Sequence, residues 1–285
     1  MDLCDISFIK VLLAKHGFSF SKGLGQNFLC DASVPRSIAE SAGLDQQTGV
    51  LEVGPGIGTL TVELCQRAGK VVAVELDKRL PDVLKDTLAD FDNVTVVSAD
   101  ILKTDIPALV KEHFGECKRV VACANLPYYI TSPAVAALID SKCFETVTVM
   151  VQKEVALRIC AEPGTSDYGA FTPYIAYNAA ASIVLEVGRE SFIPSPKVDS
   201  AVVRLDMYSE PPVKLKDEKM FFCVIKAAFA QRRKTLLNCL GAAFGGTMTK
   251  DELKSCIEQC GLSPSARGET LNIAQFAALA DLLAR

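Results

Sequence analysis

The spacing of apolar and polar residues changes period along the chain, and those changes predict most of the architecture. Residues 6–16 carry apolar side chains at helical spacing and stop at Gly17, a suitable C-cap glycine, so they read as a helix. Residues 19–29 are polar and glycine-bearing and read as a loop. Asp31 is placed to cap a helix running to about Ala42. From Gly49 the pattern becomes short apolar runs. Residues 50–53, 70–74, 94–97, 120–124 and 147–151 read as strands, with helices over 59–68 and up to Leu88 between the first three. Strands alternating with helices predict a parallel, doubly wound α/β sheet. Residues 183–187 and 201–205 add two strands, seven in all, and the prolines of the intervening 192–198 bar regular structure there.

Past Met207 the strand pattern ends. Glu210-Pro211-Pro212 reads as a linker and the remainder as helical. Thr249-Lys250-Asp251-Glu252 fits a capping box, with Met248 and Leu253 placed for a hydrophobic staple. The expected organisation is therefore an α/β domain over 1–207 and a small all-α domain over 208–285. No internal repeat or low-complexity tract interrupts it.

Composition narrows the class. With 285 residues, 49% hydrophobic and 22% charged, the chain has ample material for a core. No apolar run is long enough to span a bilayer, and the amino terminus lacks a signal-peptide layout. Eleven cysteines, never spaced as Cys-x-x-Cys, point to reduced thiols; Cys65 and Cys123 fall in apolar-patterned segments. The expectation is a cytoplasmic protein without disulfides or a metal. The net charge of −4 speaks mildly against a nucleic-acid partner. Its distribution softens this, because the chain carries −6 up to Arg204 and +2 from Leu205 onward, where Arg232-Arg233-Lys234 cluster.

Candidate chemistry gathers at strand ends, where open α/β sheets bind ligands. Glu52-Val53-Gly54-Pro55-Gly56-Ile57-Gly58 joins a strand to a helix, and its glycines let a ligand approach the backbone. Such a turn suits dinucleotide, flavin and S-adenosylmethionine binders alike; the missing Lys excludes a P-loop. Glu75 ends the next strand, where an acid can grip ribose hydroxyls. Asp100 ends the third, as an acceptor for an adenine amino group or as a helix cap. Asn125-Leu126-Pro127-Tyr128 ends the fourth, combining a carboxamide, a Pro-fixed backbone and a ring on which a base can stack. His16 and His113 are isolated and read as ordinary surface residues.

Together, Gly54 to Gly58, Glu75, Ser98-Ala99-Asp100 and Asn125 to Tyr128 resemble the motifs of class I S-adenosylmethionine-dependent methyltransferases acting on N6 of adenine. Adding Gly25-Gln26-Asn27-Phe28-Leu29, residues 125–133 and Phe192-Ile193-Pro194-Ser195-Pro196-Lys197-Val198-Asp199-Ser200, the chain resembles the ribosomal RNA adenine dimethyltransferase family from about Gly23 onward. The resemblance implies a Rossmann-like, mostly parallel seven-stranded sheet with a small C-terminal helical domain. It implies S-adenosylmethionine as cofactor, held by Gln26, Asn27, Leu29, Gly54, Gly56, Gly58, Glu75, Leu76, Asp100, Ile101 and Asn125. Catalysis would fall to Asn125, Leu126, Pro127 and Tyr128, and RNA contact to Tyr128, Phe192, Arg232, Arg233 and Lys234.

The small-subunit branch of that family dimethylates two adjacent adenosines in the 3′-terminal hairpin of small-subunit rRNA. The implied partner is that rRNA within a pre-30S assembly particle, with the enzyme acting as a monomer. The alternatives are a large-subunit rRNA dimethylase, a non-catalytic nucleic-acid-binding relative, and a dinucleotide oxidoreductase. The last leaves Asn125 to Tyr128 without work. For Phe192 core packing competes with base stacking; for the Arg232 cluster a solvated helix face competes with phosphate contact.

Overall fold

The computed structural model describes residues 2–18, 27–231 and 233–284. The chain divides into two compact units, Met1–Ala156 with Ser182–Met207, and Leu157–Ala181 with Tyr208–Arg285. The boundary expected at 207 and 208 is thus only one of three crossings. The chain also crosses at 156 and 181, because Tyr168 and Tyr177 pack into the helical core of the second unit.

In the first unit the elements run α1 (Ile6–Lys15), β1 (Phe28–Leu29), α2 (Ser33–Ser41), β2 (Thr48–Val53), α3 (Thr59–Cys65), β3 (Lys70–Glu75), α4 (Leu80–Thr87), β4 (Val94–Ser98), α5 (Ile106–His113), β5 (Arg119–Asn125), α6 (Thr131–Asp140) and β6 (Thr146–Gln152). Next come α7 (Lys153–Ile159) and α8 (Phe171–Asn178) around the first two crossings, then β7 (Ala179–Val187), β8 (Phe192–Ile193) and β9 (Ser200–Met207). The seven-stranded sheet has the order β4-β3-β2-β5-β6-β9-β7. Pairings among β4, β3, β2, β5 and β6 are parallel, and β9 runs antiparallel to β6.

Burial follows position in that order. Central β2 is buried at every residue, as a strand covered on both faces must be, whereas β7 at the edge alternates. Val50, Val71, Val121 and Val202 meet Ile38 of α2 and Leu60 and Leu64 of α3 in one apolar cluster, so these helices lie on one face of the sheet.

Two local outcomes differ from the sequence pattern. The helix expected to reach Ala68 ends at Cys65, because the Asn93 carboxamide donates to the Cys65 and Ala68 carbonyls, both at 2.9 Å. Where a loop and an irregular segment were expected, β1 pairs antiparallel with β8, Phe28 opposite Ile193 and Leu29 opposite Phe192. Each strand is two residues long, too short for any periodicity to announce it.

The second unit adds α9 (Glu218–Phe229), α10 (Leu236–Phe244), α11 (Lys250–Gln259) and α12 (Ile273–Leu283). Phe221, Val224, Leu240, Leu253, Ile257 and Phe276 form its core. The capping box at Thr249 and Glu252 is present, and Met248 and Leu253 are both buried in that core. All eleven cysteines are free, and among the described residues no helix is long and apolar enough to cross a membrane.

Candidate active site

The chain leaves β2 outward through β3 and β4, then returns to lay β5 on the other side of β2. Such a reversal opens a crevice at the carboxyl ends of the two diverging strands. Val53 pairs with Ala124, so the glycine turn after β2 and Asn125 at the end of β5 face one another across it. A cavity of about 230 Å³ occupies this crevice.

On the β2 side the wall is largely backbone. Gly54 and Gly56 hold φ of 70° and 61°, a region that costs a side-chain-bearing residue strain. A Cβ at Gly56 would come within 3.3 Å of the Phe28 ring, which lines the same cavity. Gly58 does not line it. Its φ of 92° begins α3, and its missing side chain admits Thr87, Leu84 and Leu88 of and beside α4, which gives it a part in helix packing.

Two carboxylates are buried here. Glu75 accepts the Asp77 amide at 2.7 Å and the Gly56 amide at 3.3 Å. Burial still raises its pKa, with those amides opposing. Glu52, at the end of β2, was given no role from the sequence. It is 1% exposed, lines the cavity, and its Oε2 has no hydrogen-bond partner among the described residues. Burial pushes it up to about 8; the Glu75 charge adds to the shift and the neighbouring Thr61 hydroxyl opposes it. The only sequence signal was its adjacency to the glycine turn.

Asp100 lines the cavity and also caps the 3₁₀ turn Ile101–Lys103, accepting the Leu102 amide at 3.1 Å. Its second oxygen lies 3.5 Å from Lys103. Leu76, Ile101, Asn27 and Leu29 complete this side. Gln26 lies outside the described residues.

On the β5 side the Asn125 carboxamide makes no hydrogen bond among the described residues. The Leu126 amide is bound to the Met150 carbonyl at 3.2 Å, which fixes the turn. The Pro127 carbonyl accepts Ile130 N at 3.1 Å and Thr131 Oγ1 at 3.4 Å, whereas the Leu126 carbonyl has no donor among the described residues. Of these two carbonyls only that of Leu126 is open among the described residues.

Tyr128 is half-buried, and its hydroxyl lies 2.9 Å from Ser200 Oγ, a fully buried group at the start of β9. Phe192 lines the cavity but is 5% exposed and packs with Leu29, Val34 and Leu60, so core packing claims most of its ring. Antiparallel pairing of Leu29 with Phe192 explains why two segments 160 residues apart meet at one cavity.

Arg233 and Lys234 are exposed in the second unit, ahead of α10, and are not among the residues lining the cavity. Arg232 is outside the described residues. The histidines are not the free surface groups expected. His16 is held 2.8 Å from Asp86 beside Lys15, His113 is 3.8 Å from Glu112, and each side chain is less than a fifth exposed.

The model of the family described as ribosomal RNA adenine dimethylase matches residues 17–285. The chain belongs to that family. Proteins called ribosomal RNA small subunit methyltransferase A are 47% identical to it in Geobacillus thermodenitrificans, over 99% of this chain and 97% of the relative, and in Streptococcus pneumoniae, over 99% and 98%. Among solved structures, a dimethyladenosine transferase from Plasmodium falciparum superposes with TM-score 0.75 at 27% identity, covering 88% of this chain and 95% of that one. The 23S rRNA methyltransferase ErmE superposes with TM-score 0.68 at 28% identity, covering 90% and 100%.

As an rRNA adenine dimethylase the chain is an S-adenosylmethionine-dependent enzyme acting on N6 of adenine. The cavity suits that cofactor. The orphaned Glu52 oxygen provides for a cationic group, the Gly54 and Gly56 turn for close backbone approach, and Glu75 for hydroxyl donors.

Proposed function

We propose that this enzyme dimethylates N6 of two adjacent adenosines in the 3′-terminal hairpin of small-subunit rRNA, as a cytoplasmic monomer acting on a pre-30S particle without a metal. The observation that carries the chemistry is the pair of unsatisfied acceptors at the β5 tip, the Asn125 carboxamide oxygen and the Leu126 carbonyl, beside the glycine turn. Full-length identity of 47% to small-subunit relatives supports the choice of subunit.

An adenine N6 lone pair is delocalised into the ring, so the amine attacks poorly. When both its hydrogens are accepted, by Asn125 Oδ1 and the Leu126 carbonyl, the nitrogen shifts toward tetrahedral geometry and its lone pair faces the cavity. S-adenosylmethionine supplies the methyl group on a sulfonium leaving group. With that cofactor bound, Asn125 would hold the nitrogen with its lone pair toward the cavity, where positioning and fixed dipoles would lower the barrier to methyl transfer. The methylated amine releases its proton to solvent, so no strong base is needed. Tyr128, its hydroxyl bound to Ser200, offers one stacking face for the extruded base, and Phe192 the edge of the other. Glu75 would accept the cofactor's ribose hydroxyls, and Asp100, Leu76 and Ile101 would hold its adenine. Arg232, Arg233 and Lys234 meet rRNA phosphates.

Labelled methyl transfer to small-subunit and large-subunit particles from a strain lacking this enzyme tests the reading. Two adjacent dimethyladenosines in the 3′-terminal hairpin are expected. Marks confined to large-subunit rRNA would transfer the assignment to the ErmE-like activity, and no transfer would leave a binding protein.

A further inference from the structure

We infer that Tyr129 is a platform for the nucleobase next to the target base, a second base subsite at the cavity mouth; the inference rests on the activity proposed above. Tyr128 and Tyr129 are consecutive on one 3₁₀ turn, Tyr128–Ile130, yet they are held in opposite ways. Tyr128 is half-buried and tied by its hydroxyl to Ser200. Tyr129 lines the cavity, is 54% exposed, and has no hydrogen bond or ring contact among the described residues. Leu102 lines the same cavity. It is 42% exposed, and its turn packs against α6, which begins just after Ile130.

Exposed apolar groups clustered on the rim of a pocket mark a surface that a ligand covers. Leu76, the third exposed apolar group on this rim, is used by the cofactor adenine, which leaves Tyr129 and Leu102 without work. The occupant is a nucleobase. Extruding a base leaves its neighbours unstacked on one side, and an aromatic face at the mouth restores that stacking for any base. A substrate with two adjacent target adenosines always places one beside the mouth while the other is inside. Lys103, on the Leu102 turn, is 84% exposed and pairs with Asp100 at 3.5 Å, a pair for which the connecting phosphate would compete.

The test uses the full chain and small-subunit particles lacking the modification. Tyr129→Ala is expected to lower kcat/KM for particles by tenfold or more, about 1.4 kcal/mol, with cofactor affinity by calorimetry and thermal midpoint unchanged. Tyr129→Phe, which keeps the ring, should stay within twofold of wild type. Tyr129→Ala particles kinetics within twofold of wild type would overturn the subsite while leaving the activity standing. Equal losses in Tyr129→Ala and Tyr129→Phe would overturn it too, since the hydroxyl and not the ring would then be the contact. A wild-type enzyme inactive on particles would overturn the proposed activity and the subsite together.

Discussion

The two sides of the cavity are built on different principles. On the cofactor side, at the tips of β2 and β3, the wall is backbone and buried charge: glycines at positive φ, Glu75 gripped by two amides, and Glu52 almost wholly desolvated. On the base side, at the tip of β5, the wall is neutral: a free carboxamide, an open carbonyl and two tyrosines. A cationic cofactor repays the desolvation of carboxylates, whereas a neutral base needs only dipoles and faces. The electrostatic strain of the empty enzyme should therefore reside on one side alone.

The largest expected effect follows from that asymmetry. Glu52 titrates near 4.5 when unfolded and at about 8 when folded. Folding thus favours its protonated form. The associated stability is fully present below pH 4.5 and is lost as pH rises toward 8. Between pH 5 and 8 the loss is on the order of 4 kcal/mol, and Glu75, also raised, acts in the same direction. Urea unfolding of the cofactor-free protein should show this decline, and Glu52→Gln should flatten it. Parallel pH profiles for the two proteins would remove the strain from the cofactor side.

Asn125→Ala probes the other side. It should cut turnover 10²-fold or more, about 2.7 kcal/mol or above in the barrier, and leave cofactor affinity within roughly tenfold. Single-turnover transfer and calorimetry measure the two separately. Near-normal turnover would strip the base side of its mechanism. Glu75→Ala is the mirror experiment and a smaller one. Cofactor affinity should fall about tenfold to a hundredfold, 1.4 to 2.7 kcal/mol, with turnover at saturating cofactor changed by far less. Unchanged affinity would sever Glu75 from the ribose.

How much of this was legible depends on range. Gly54, Gly56, Glu75, Asp100 and Asn125 could be read because each lies at or just past the end of a strand, and strand ends are marked by local composition. The face-to-face placement of Gly54 and Asn125 could not, because it depends on β5 returning to the far side of β2, a choice of strand order that no local pattern encodes. The pairing of Leu29 with Phe192 escaped for the same reason, compounded by strands of two residues. Tyr168 and Tyr177 joined the second unit through packing against Phe221 and its neighbours, which a linear boundary at Met207 could not foresee. Glu52 looked like one more strand residue until its burial and missing partner were visible.

Gly58 is the glycine of the turn that does not line the cavity, and it gives the smallest effect. Gly56 and Gly58 share a turn and a positive φ, but a Cβ would meet Phe28 of the cavity wall at Gly56 and Thr87 and Leu84, at 3.1 and 3.3 Å, at Gly58. Both Gly→Ala variants should lose about 1 to 2 kcal/mol of stability from backbone strain. Only Gly56→Ala should also weaken cofactor binding, because only there does the added methyl press on the cavity. Denaturant midpoints and cofactor calorimetry on the two variants separate packing from binding. An equal affinity loss at Gly58 would return that residue to the cofactor side and extend its backbone wall by one more turn.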